Sequence, residues 1–273
     1  MTYQTGVKNH LSSYKRDVLN IEEKGVFKHQ GRELKYDHIL PKQYGKLNIL
    51  EPYRDSFYDS IYSNITFHKY FHHLNSSQAL CINLFYPLIV EGRLDLVLKL
   101  LDLPETEITH AQFEFESDLE INNGRKTNFD FYLKSMKSVR IYIELKYTEQ
   151  KFGSAVNDQA HVDKYLETYL PLLQDNRFIK NEFKTMDHFL ENYQVMRNLI
   201  HLGETDYVVF LYPEANRKIH AQAKRAYDEM LTDEGKERLK IIHLAKIVDS
   251  LSEHINSDRC KKHFAEFIRK YLV

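Results

Sequence analysis

Two apolar, strand-like runs near the middle of the chain each carry charged residues. The segment TNFDFYLKSMKSVRIYIELKYTEQKFG, residues 127–153, places Asp130 in the first run and Glu144 with Lys146 in the second. Successive side chains on a β-strand point to opposite faces, so Glu144 and Lys146 share a face with Tyr142, while the intervening aliphatic residues face the other way. Charges in a sheet are costly unless they are paired or bind an ion. The pattern therefore predicts a patch of converging charged residues.

The first run alternates in the same manner. Strict alternation puts Asp130 on one face with Asn128 and Tyr132, opposite Phe129 and Phe131. If the two strands pair as neighbours, the carboxylate of the first run comes to lie beside the carboxylate and the ammonium of the second.

Two adjacent carboxylates repel each other, and a divalent cation that prefers oxygen ligands removes that repulsion. Such a cation keeps positions for a water molecule and for a phosphate oxygen. A lysine two residues from the glutamate can orient the water, help to deprotonate it, or stabilise charge on a phosphate. The pattern is typical of metal-dependent hydrolysis of phosphodiesters.

The chain around these runs is predicted to alternate helices and strands. NSSQALCINLFYPLIVEGRLDLVLKLL indicates a helix that begins after an Asn-Ser cap and ends at Pro87, followed by a second helix. AQFEFESDLEI, TNFDFYL and VRIYIELKY indicate three antiparallel strands, of which the first two are joined by the turn NNGRK. Two helical stretches, the buried parallel-type strand DYVVFLYP, another helix, a short strand in RLKIIHLAKIV and the amphipathic helix KKHFAEFIRKYL complete the order.

This order predicts an α/β fold with an αβββαβ core, in which helices flank a central mixed sheet and the C-terminus is helical. With 273 residues, the chain can form one large domain with an annex. We expect an N-terminal extension over residues 1–74 that packs on a domain of residues 75–273, with its core at about 75–245.

Composition limits the cellular setting more than the function. Two cysteines are too few for a disulfide framework, and the chain has no secretion signal and no apolar run of about 20 residues. These features predict a cytoplasmic protein that does not enter a membrane. The formal net charge of −1 excludes a uniformly basic nucleic-acid binder, although a local basic cleft is compatible with it.

A Glu-x-Lys motif has little value by itself. It also occurs at residues 22–24, 33–35, 149–151, 182–184 and 234–236. Only the copy at 144–146 follows an apolar strand and lies 14 residues after an aspartate on the preceding strand. Its position among the predicted elements therefore carries the inference.

This arrangement resembles the PD-(D/E)xK nuclease superfamily over about residues 75–245. HHLNSSQALCINLFYPL, TNFDFYL, IELKYTEQKFG and DYVVFLYP together look like a family of proposed bacterial restriction endonucleases within it. The resemblance implies that Asp130, Glu144 and the backbone carbonyl of Leu145 bind Mg²⁺, which Mn²⁺ would replace, and that Lys146 is the catalytic lysine. One departure is that no proline precedes Asp130.

The resemblance also implies a further acidic ligand and a catalytic glutamine. Glu91 is the candidate ligand, with Gln78 as a neutral analogue and Glu114 or Glu116 as alternatives on the first strand. Gln159 resembles the helix glutamine of several branches, and its alternative interpretation is a polar residue on a solvated face.

Contacts with DNA are predicted at two places. Ser77 and Gln78 begin a helix whose N-terminus would bind a phosphate, although this helix is also a candidate for the core. Arg125, Lys126 and Lys151 lie near the predicted site in sequence, where they would contact the DNA backbone or remain solvated charges.

Three alternatives stand beside the nuclease. The charged residues of the two runs would also suit an exposed hairpin with a cross-strand salt bridge. The chain would also suit a non-catalytic nucleic-acid-binding protein on the same fold. The stretch YDHILP resembles the start of an HNH nuclease, with His38, Asn48 or Asn64, and His68 as its partners. We favour a Mg²⁺-dependent endodeoxyribonuclease, a type II-like restriction endonuclease that cuts palindromic DNA as a homodimer.

Overall fold

The computed structural model describes residues 2–103, 106–120 and 125–273. By their internal contacts, these residues form two compact units: unit 1 is Met1–Glu105 with Leu244–Val273, and unit 2 is Thr106–His243. The expected division into 1–74 and 75–273 stays a prediction, because compact packing units need not coincide with domains. Residues 122–124 of the predicted turn NNGRK lie outside the described residues.

Unit 1 is mainly helical and contains one hairpin. Its helices are α1 (Tyr3–Asp17), α2 (Glu51–Tyr58), α3 (Ser77–Val90), α4 (Asp95–Leu100), α11 (Leu244–His254) and α12 (Asp258–Tyr271), and its antiparallel hairpin consists of β1 (Gly25–His29) and β2 (Arg32–Tyr36). Ser76 caps α3 by accepting a hydrogen bond from the backbone N–H of Ala79, as the Asn-Ser cap predicts.

The prediction that Pro87 ends this helix was wrong, because α3 continues through Pro87 to Val90. A proline inside a helix leaves the carbonyl four residues earlier without its N–H donor. Here the ring nitrogen Nε2 of His263 on α12 donates to that carbonyl, on Asn83, at 2.7 Å. This bond from another helix replaces the missing one, so the helix tolerates the proline.

Unit 2 is built on a five-stranded mixed sheet in the order β3-β4-β5-β6-β7. Its strands are β3 (Ile108–Glu116), β4 (Asn128–Ser135), β5 (Arg140–Leu145), β6 (Asp206–Tyr212) and β7 (Leu239–His243). The first three strands are antiparallel neighbours, whereas β6 pairs in parallel with both β5 and β7. The predicted α/β class and the parallel character of DYVVFLYP are confirmed.

The other helices of unit 2 follow β5 and β6 in the chain. They are α5 (Gln159–Lys164), α6 (Leu170–Asp175), α7 (Met186–Glu191), α8 (Tyr193–Leu199), α9 (Arg217–Arg225) and α10 (Asp233–Arg238), and π-helical turns continue α5 and α9 over Tyr165–Tyr169 and Ala226–Met230. Apolar residues of these helices pack with Tyr142, Val208 and Phe210 of the sheet in one buried cluster. The helices therefore cover the sheet face that carries Tyr142.

The strict alternation predicted for β4 was wrong at Asp130. Phe131 pairs with Ile143, whereas the ring of Phe129 lies 5.0 Å from Tyr142, on the opposite face. The two phenylalanines thus point to different faces, and the alternation breaks between them. Glu114 lies between the pairs Phe113–Phe131 and Phe115–Phe129 and has a φ of +52°, so the ladder beside Asp130 is distorted without a shift in register.

Among the helices of the described residues, none combines the length and the apolar character needed to cross a membrane.

Candidate active site

The three charged residues of the central runs come together in unit 2. Asp130 lies on β4, Glu144 lies near the end of the adjacent strand β5, and Lys146 follows that end directly. The ammonium of Lys146 is 2.6 Å from Oε1 of Glu144. Glu144 points to the helix-covered face, as the alternation through Tyr142 predicts.

Burial distinguishes this cluster from an ordinary surface pair. Glu144 and Lys146 are only 3% and 8% exposed. An exposed hairpin with a solvated cross-strand salt bridge is therefore not what the chain forms. Removing the two charges of an ion pair from water costs roughly several kcal/mol per ion. Their mutual attraction offsets this cost only if their remaining hydrogen bonds are satisfied.

Asp130 is held beside the end of β5 by the backbone. The amide N–H of Leu145 donates to its Oδ2 at 2.7 Å. Removal of the carboxylate from water and the negative charge of Glu144 raise the pKa of Asp130 well above its usual range. The charge of Glu114 raises it further, whereas Lys146 and the Leu145 amide act in the opposite direction. Burial and the neighbouring carboxylates thus outweigh the effect of Lys146 on Asp130.

Lys146 keeps its proton in this environment. Burial by itself lowers the pKa of an ammonium, but the carboxylates of Glu144, Glu149 and Asp130 outweigh burial and raise the pKa of Lys146. The side chain is therefore a fixed cation at neutral pH. It can donate hydrogen bonds and stabilise negative charge, but it is a poor proton acceptor.

Two amides of α8 complete the cluster, and the sequence interpretation missed both. Gln194 donates from Nε2 to Oε1 of Glu144 at 2.7 Å and accepts at its Oε1 from Lys146 at 3.1 Å. One turn later, Asn198 donates to Oε2 of Glu144 at 3.3 Å. Residues four apart lie on the same helix face, so the Gln-x-x-x-Asn spacing was the available signal.

The position of Gln194 depends on the loop after β5. Its backbone N–H donates to the carbonyl of Gly153 at 3.4 Å, and Gly153 has a φ of +144°, which L side chains rarely adopt. The glycine that ends the stretch IELKYTEQKFG thus allows the loop to turn against α8.

Other predicted site residues of unit 2 lie apart from this hydrogen-bond network. The exposed Gln159 donates to Asp163 on its own helix at 2.7 Å, and its catalytic role stays a prediction. Glu114 accepts from Asn128 at 2.9 Å and acts on Asp130 through its charge. Glu116 is exposed at the end of β3, and the role of either glutamate as a metal ligand stays a prediction.

Glu91, Ser77 and Gln78 belong to unit 1. Glu91 follows the end of α3 and accepts a hydrogen bond from the hydroxyl of Tyr53. Gln78 is buried, and its amide already binds the backbone of Thr66 and His68. Their predicted roles as a metal ligand and as DNA contacts, with that of Ser77, remain predictions.

A second buried carboxylate, that of Glu120, lies near the backbone of Arg125, one of the predicted basic contacts. The backbone carbonyl of Arg125 accepts from Lys164 and from Arg197. These two cations also face Glu120, at 3.5 and 3.8 Å. Burial alone raises the pKa of a carboxyl, but the bonds from Thr127 and the nearby cations outweigh it and lower the pKa of Glu120. This cluster anchors the backbone that leads into β4.

The side chains of Arg125 and Lys151 are exposed, and Lys126 is half-buried. Lys151 donates to the hydroxyl of Ser154 at 3.3 Å. As contacts to DNA they stay predictions.

The donor chemistry of the Asp130–Glu144 pair fits a hard divalent cation. Both side chains offer carboxylate oxygens. Burial and the charge of Glu144 raise the pKa of Asp130, so a bound cation would favour its ionised form. Within the described ranges, however, no three His, Cys, Asp or Glu residues are grouped so as to hold a metal by themselves. Remaining ligands would have to be backbone carbonyls, water or substrate oxygens.

The residues proposed for an HNH site have other partners. Asn48 donates to the carbonyls of Phe71 and His73 and accepts from the ammonium of Lys270. These bonds use both ends of its side-chain amide within unit 1. Burial lowers the pKa of the enclosed His38 to about 4. This arrangement is that of a structural core.

Comparison with known proteins identifies one family. The model of a family described as Restriction Endonuclease associating with ARP, or REase-ARP, matches residues 8–272. Neither the curated proteins nor the solved structures include a significant match to this chain.

Proposed function

We propose that this chain, which belongs to the family Restriction Endonuclease associating with ARP, is a metal-dependent DNA endonuclease of the PD-(D/E)xK type. Its family supports a nuclease role. The observation that carries the finer proposal is the Asp130–Glu144–Lys146 cluster, in which the buried Glu144 and Lys146 pair beside the half-buried carboxyl of Asp130. Burying such charges costs free energy, which a functional role would explain. The residue types of the cluster suit hydrolysis of a phosphodiester.

The two carboxylates would hold the metal ion. Asp130 and Glu144 supply hard oxygen ligands, and the backbone carbonyl of Leu145 is a third candidate. Mg²⁺ bound there would polarise the phosphate and lower the pKa of a water molecule, and Mn²⁺ would replace it. Glu114 of unit 2 is the favoured additional acidic ligand, because its charge acts on Asp130; the sequence-based candidate Glu91 stays a prediction.

Lys146 would act as a cation. Because its pKa is raised, its ammonium orients the attacking water and stabilises the charge that develops on the phosphate, and it does not serve as the base. Gln194 bonds to both Glu144 and Lys146 and therefore fixes the distance between the ligand and the ammonium. We assign Gln194 the role of a positioning residue.

The proposed substrate is duplex DNA. Exposed basic side chains such as Arg125 and Lys151 would neutralise its backbone. A type II-like enzyme that cuts both strands of a palindrome would act as a homodimer, because the symmetry of the site matches a twofold axis. The family description also names association with ARP, and we include such a partner in the proposal.

The test is cleavage of unmethylated phage DNA by the wild type and by Lys146→Ala, in Mg²⁺, in Mn²⁺ and in EDTA. Lys224→Ala is the matched control, since Lys224 is an exposed lysine of unit 2 whose ion pair among the described residues is with Asp228, one turn away. Discrete, metal-dependent fragments from the wild type and the control, lost in Lys146→Ala, support the proposal. Full cleavage by Lys146→Ala refutes it.

The non-catalytic alternative predicts a different result. A binding protein on this fold would shift duplex DNA in a gel but would leave it intact with either metal. Isothermal titration of Mn²⁺ into the wild type and Asp130→Ala separates the cases further, because only the nuclease proposal requires metal binding that depends on Asp130.

A further inference from the structure

The hairpin β1–β2 of unit 1 projects an exposed ribbon. His29 pairs with Arg32, so only Gln30 and Gly31 form the turn, with φ values of +48° and +76°. Two positive φ angles are typical of the tight primed turns that suit a twisted two-stranded ribbon. Every residue from His29 to Tyr36 is exposed.

The base of the ribbon is fixed while its tip is free. The ring of Phe27 packs against Tyr70 at 5.1 Å and stacks on His29 at 5.6 Å. The hydroxyl of Tyr70 also donates to the carbonyl of Lys28 at 3.0 Å. These contacts hold the first strand, so the turn and the second strand are presented in a defined direction.

The ribbon and its surroundings are basic in a chain that is nearly neutral. Residues 23–46 contain six lysines and arginines against three acidic residues, whereas the whole chain has a formal net charge of −1. Lys24 and Lys28 pair with Asp37 and Glu33 at the surface. Within the described part of the chain, the side chains of Arg32, Lys35, Lys42 and Lys69 form no hydrogen bond or ion pair, although the ammonium of Lys69 lies over the ring of Tyr70.

A cavity of about 360 Å³ lies beside the first strand of the ribbon. Its charged wall residues are four lysines and two glutamates, so its net charge is positive: Lys24, Lys28, Lys42, Lys69, Glu23 and Glu33. Positive charge thus continues from the ribbon along a concave surface, which is the electrostatic form that a nucleic-acid backbone requires.

We propose that the hairpin β1–β2 reads DNA sequence from the major groove, with Gln30 and Arg32 at base edges and Lys42 and Lys69 at phosphates. The major groove is about 12 Å wide and admits a two-stranded ribbon. Arginine pairs with the edge of guanine and glutamine with that of adenine. This inference rests on the proposed function, because it assigns the sequence reading to an element of the same nuclease.

A protein partner is the competing occupant. The second strand has a free edge with Leu34 and Tyr36 exposed at 41% and 38%, which would allow strand addition. We favour DNA because the two charged side chains of the ribbon that form no ion pair among the described residues, Arg32 and Lys35, are both positive. In addition, the tip carries two side chains that can read bases.

The test measures sequence reading without cleavage. Full-length protein in Ca²⁺ selects from a pool of unmethylated 40-base-pair duplexes of random sequence, and fluorescence anisotropy then gives its affinity for the selected and for a scrambled duplex. The variants are Arg32→Ala, Gln30→Ala, Lys42→Gln and Lys69→Gln. Arg177→Ala is the matched control, since Arg177 is an exposed arginine paired with Glu204 and Glu234. Circular dichroism melting confirms that each variant folds.

We expect Arg32→Ala and Gln30→Ala each to weaken binding to the selected duplex by roughly 10- to 100-fold. Each variant should also lose the preference for one particular base at one position of the selected sequence. Binding to the scrambled duplex should change by less than about 3-fold. Lys42→Gln and Lys69→Gln should weaken both duplexes equally, and each should lower the slope of log affinity against log salt by about 1.

Folded tip variants that select the wild-type sequence with wild-type affinity would overturn the inference. The inference would also be overturned if the tip variants keep the DNA sequence selectivity of the wild type but lose a self-association that light scattering detects in the wild type. If the wild type cleaves phage DNA while the tip variants cut the same sites equally well, only the hairpin assignment fails. If the wild type neither binds nor cleaves duplex DNA, the proposed function fails with it.

Discussion

Replacing Gln194 with alanine tests the site where the structure departs most from the sequence interpretation. The side chain bridges an anion and a cation, because it donates to Glu144 and accepts from Lys146. Alanine removes both bonds, whereas the ion pair between Glu144 and Lys146, at 2.6 Å, remains. The variant therefore loosens the geometry of the site without leaving either charge unpaired.

The expected cost follows from these two bonds. A hydrogen bond to a charged group contributes about 1.5–3 kcal/mol. Gln194 is only half-buried, so water can replace part of what is lost, and the lower end of this range applies to each bond. We expect the free energy of unfolding to fall by about 2–3 kcal/mol, which lowers Tm by roughly 5–10 °C for a chain of this size.

The effect on catalysis should exceed the effect on binding. Misplacement of a reacting group by about 1 Å can lower the rate by about 100-fold. We expect kcat for cleavage to fall by about that factor in Gln194→Ala, while KM for DNA stays within about 2-fold. Single-turnover cleavage with Mg²⁺ and thermal unfolding followed by circular dichroism measure the two quantities.

Gln159→Ala is the matched control, because Gln159 is the glutamine that the sequence favoured. It is exposed and bonds to Asp163 on the same helix, so its loss should change the free energy of unfolding by less than about 0.5 kcal/mol. A large loss of kcat in Gln159→Ala with full activity in Gln194→Ala would refute the reasoning from the structure and restore the sequence interpretation.

Three further predictions concern charge and packing. Lys146→Met should abolish cleavage and lower the free energy of unfolding by about 3–5 kcal/mol in urea denaturation, because it leaves the buried carboxylate of Glu144 without its cation. An unchanged urea midpoint would contradict this. The raised pKa of Asp130 means that the folded state binds the proton more tightly than the unfolded state, so the contribution of this group to stability falls as pH rises from about 4 through the raised pKa. Added Mg²⁺ should therefore raise Tm more at pH 8 than at pH 5, Asp130→Asn should remove this difference, and an equal effect of Mg²⁺ in both proteins would count against the site. His263→Ala should lower the free energy of unfolding by about 2–3 kcal/mol, because the Asn83 carbonyl loses its donor. In a Pro87→Ala background the loss should be about 1 kcal/mol smaller, because residue 87 then supplies a backbone N–H to that carbonyl. Equal losses in the two backgrounds would exclude this explanation of how the helix tolerates the proline.

Local patterns in the sequence were sufficient for much of the sheet. The alternation in VRIYIELKY predicted which face of β5 carries Glu144, because side-chain direction on a strand depends only on position. The apolar run DYVVFLYP predicted a buried parallel strand for the same kind of reason. The break at Asp130 was not predictable, since it arises from the distorted ladder with Glu114 on another strand. The continuation of α3 through Pro87 likewise depends on His263, about 180 residues away in the chain.

The residues of the candidate site likewise differ in whether a local sequence pattern could predict them. The sequence predicted three site residues, Asp130, Glu144 and Lys146, because a charge inside an apolar strand is unusual and can be recognised from the neighbouring residues alone. Gln194 was not found, because an amide on a helix is unremarkable until the helix is packed on a particular sheet. Which of the chain's glutamines bonds to Glu144 is decided by how α8 lies over β5.

The sequence by itself determined the class of the fold, the order of most strands and helices, and the three charged residues of the central patch. These features follow from periodicity, turn chemistry and the cost of a charge in an apolar run, all of which act over a few residues. The tertiary structure decided the burial of Glu144 and Lys146, the raised pKa of Asp130, the bridging amide of Gln194 and the exposed basic ribbon β1–β2. These depend on solvent exposure and on distances between segments far apart in the chain, which only packing defines.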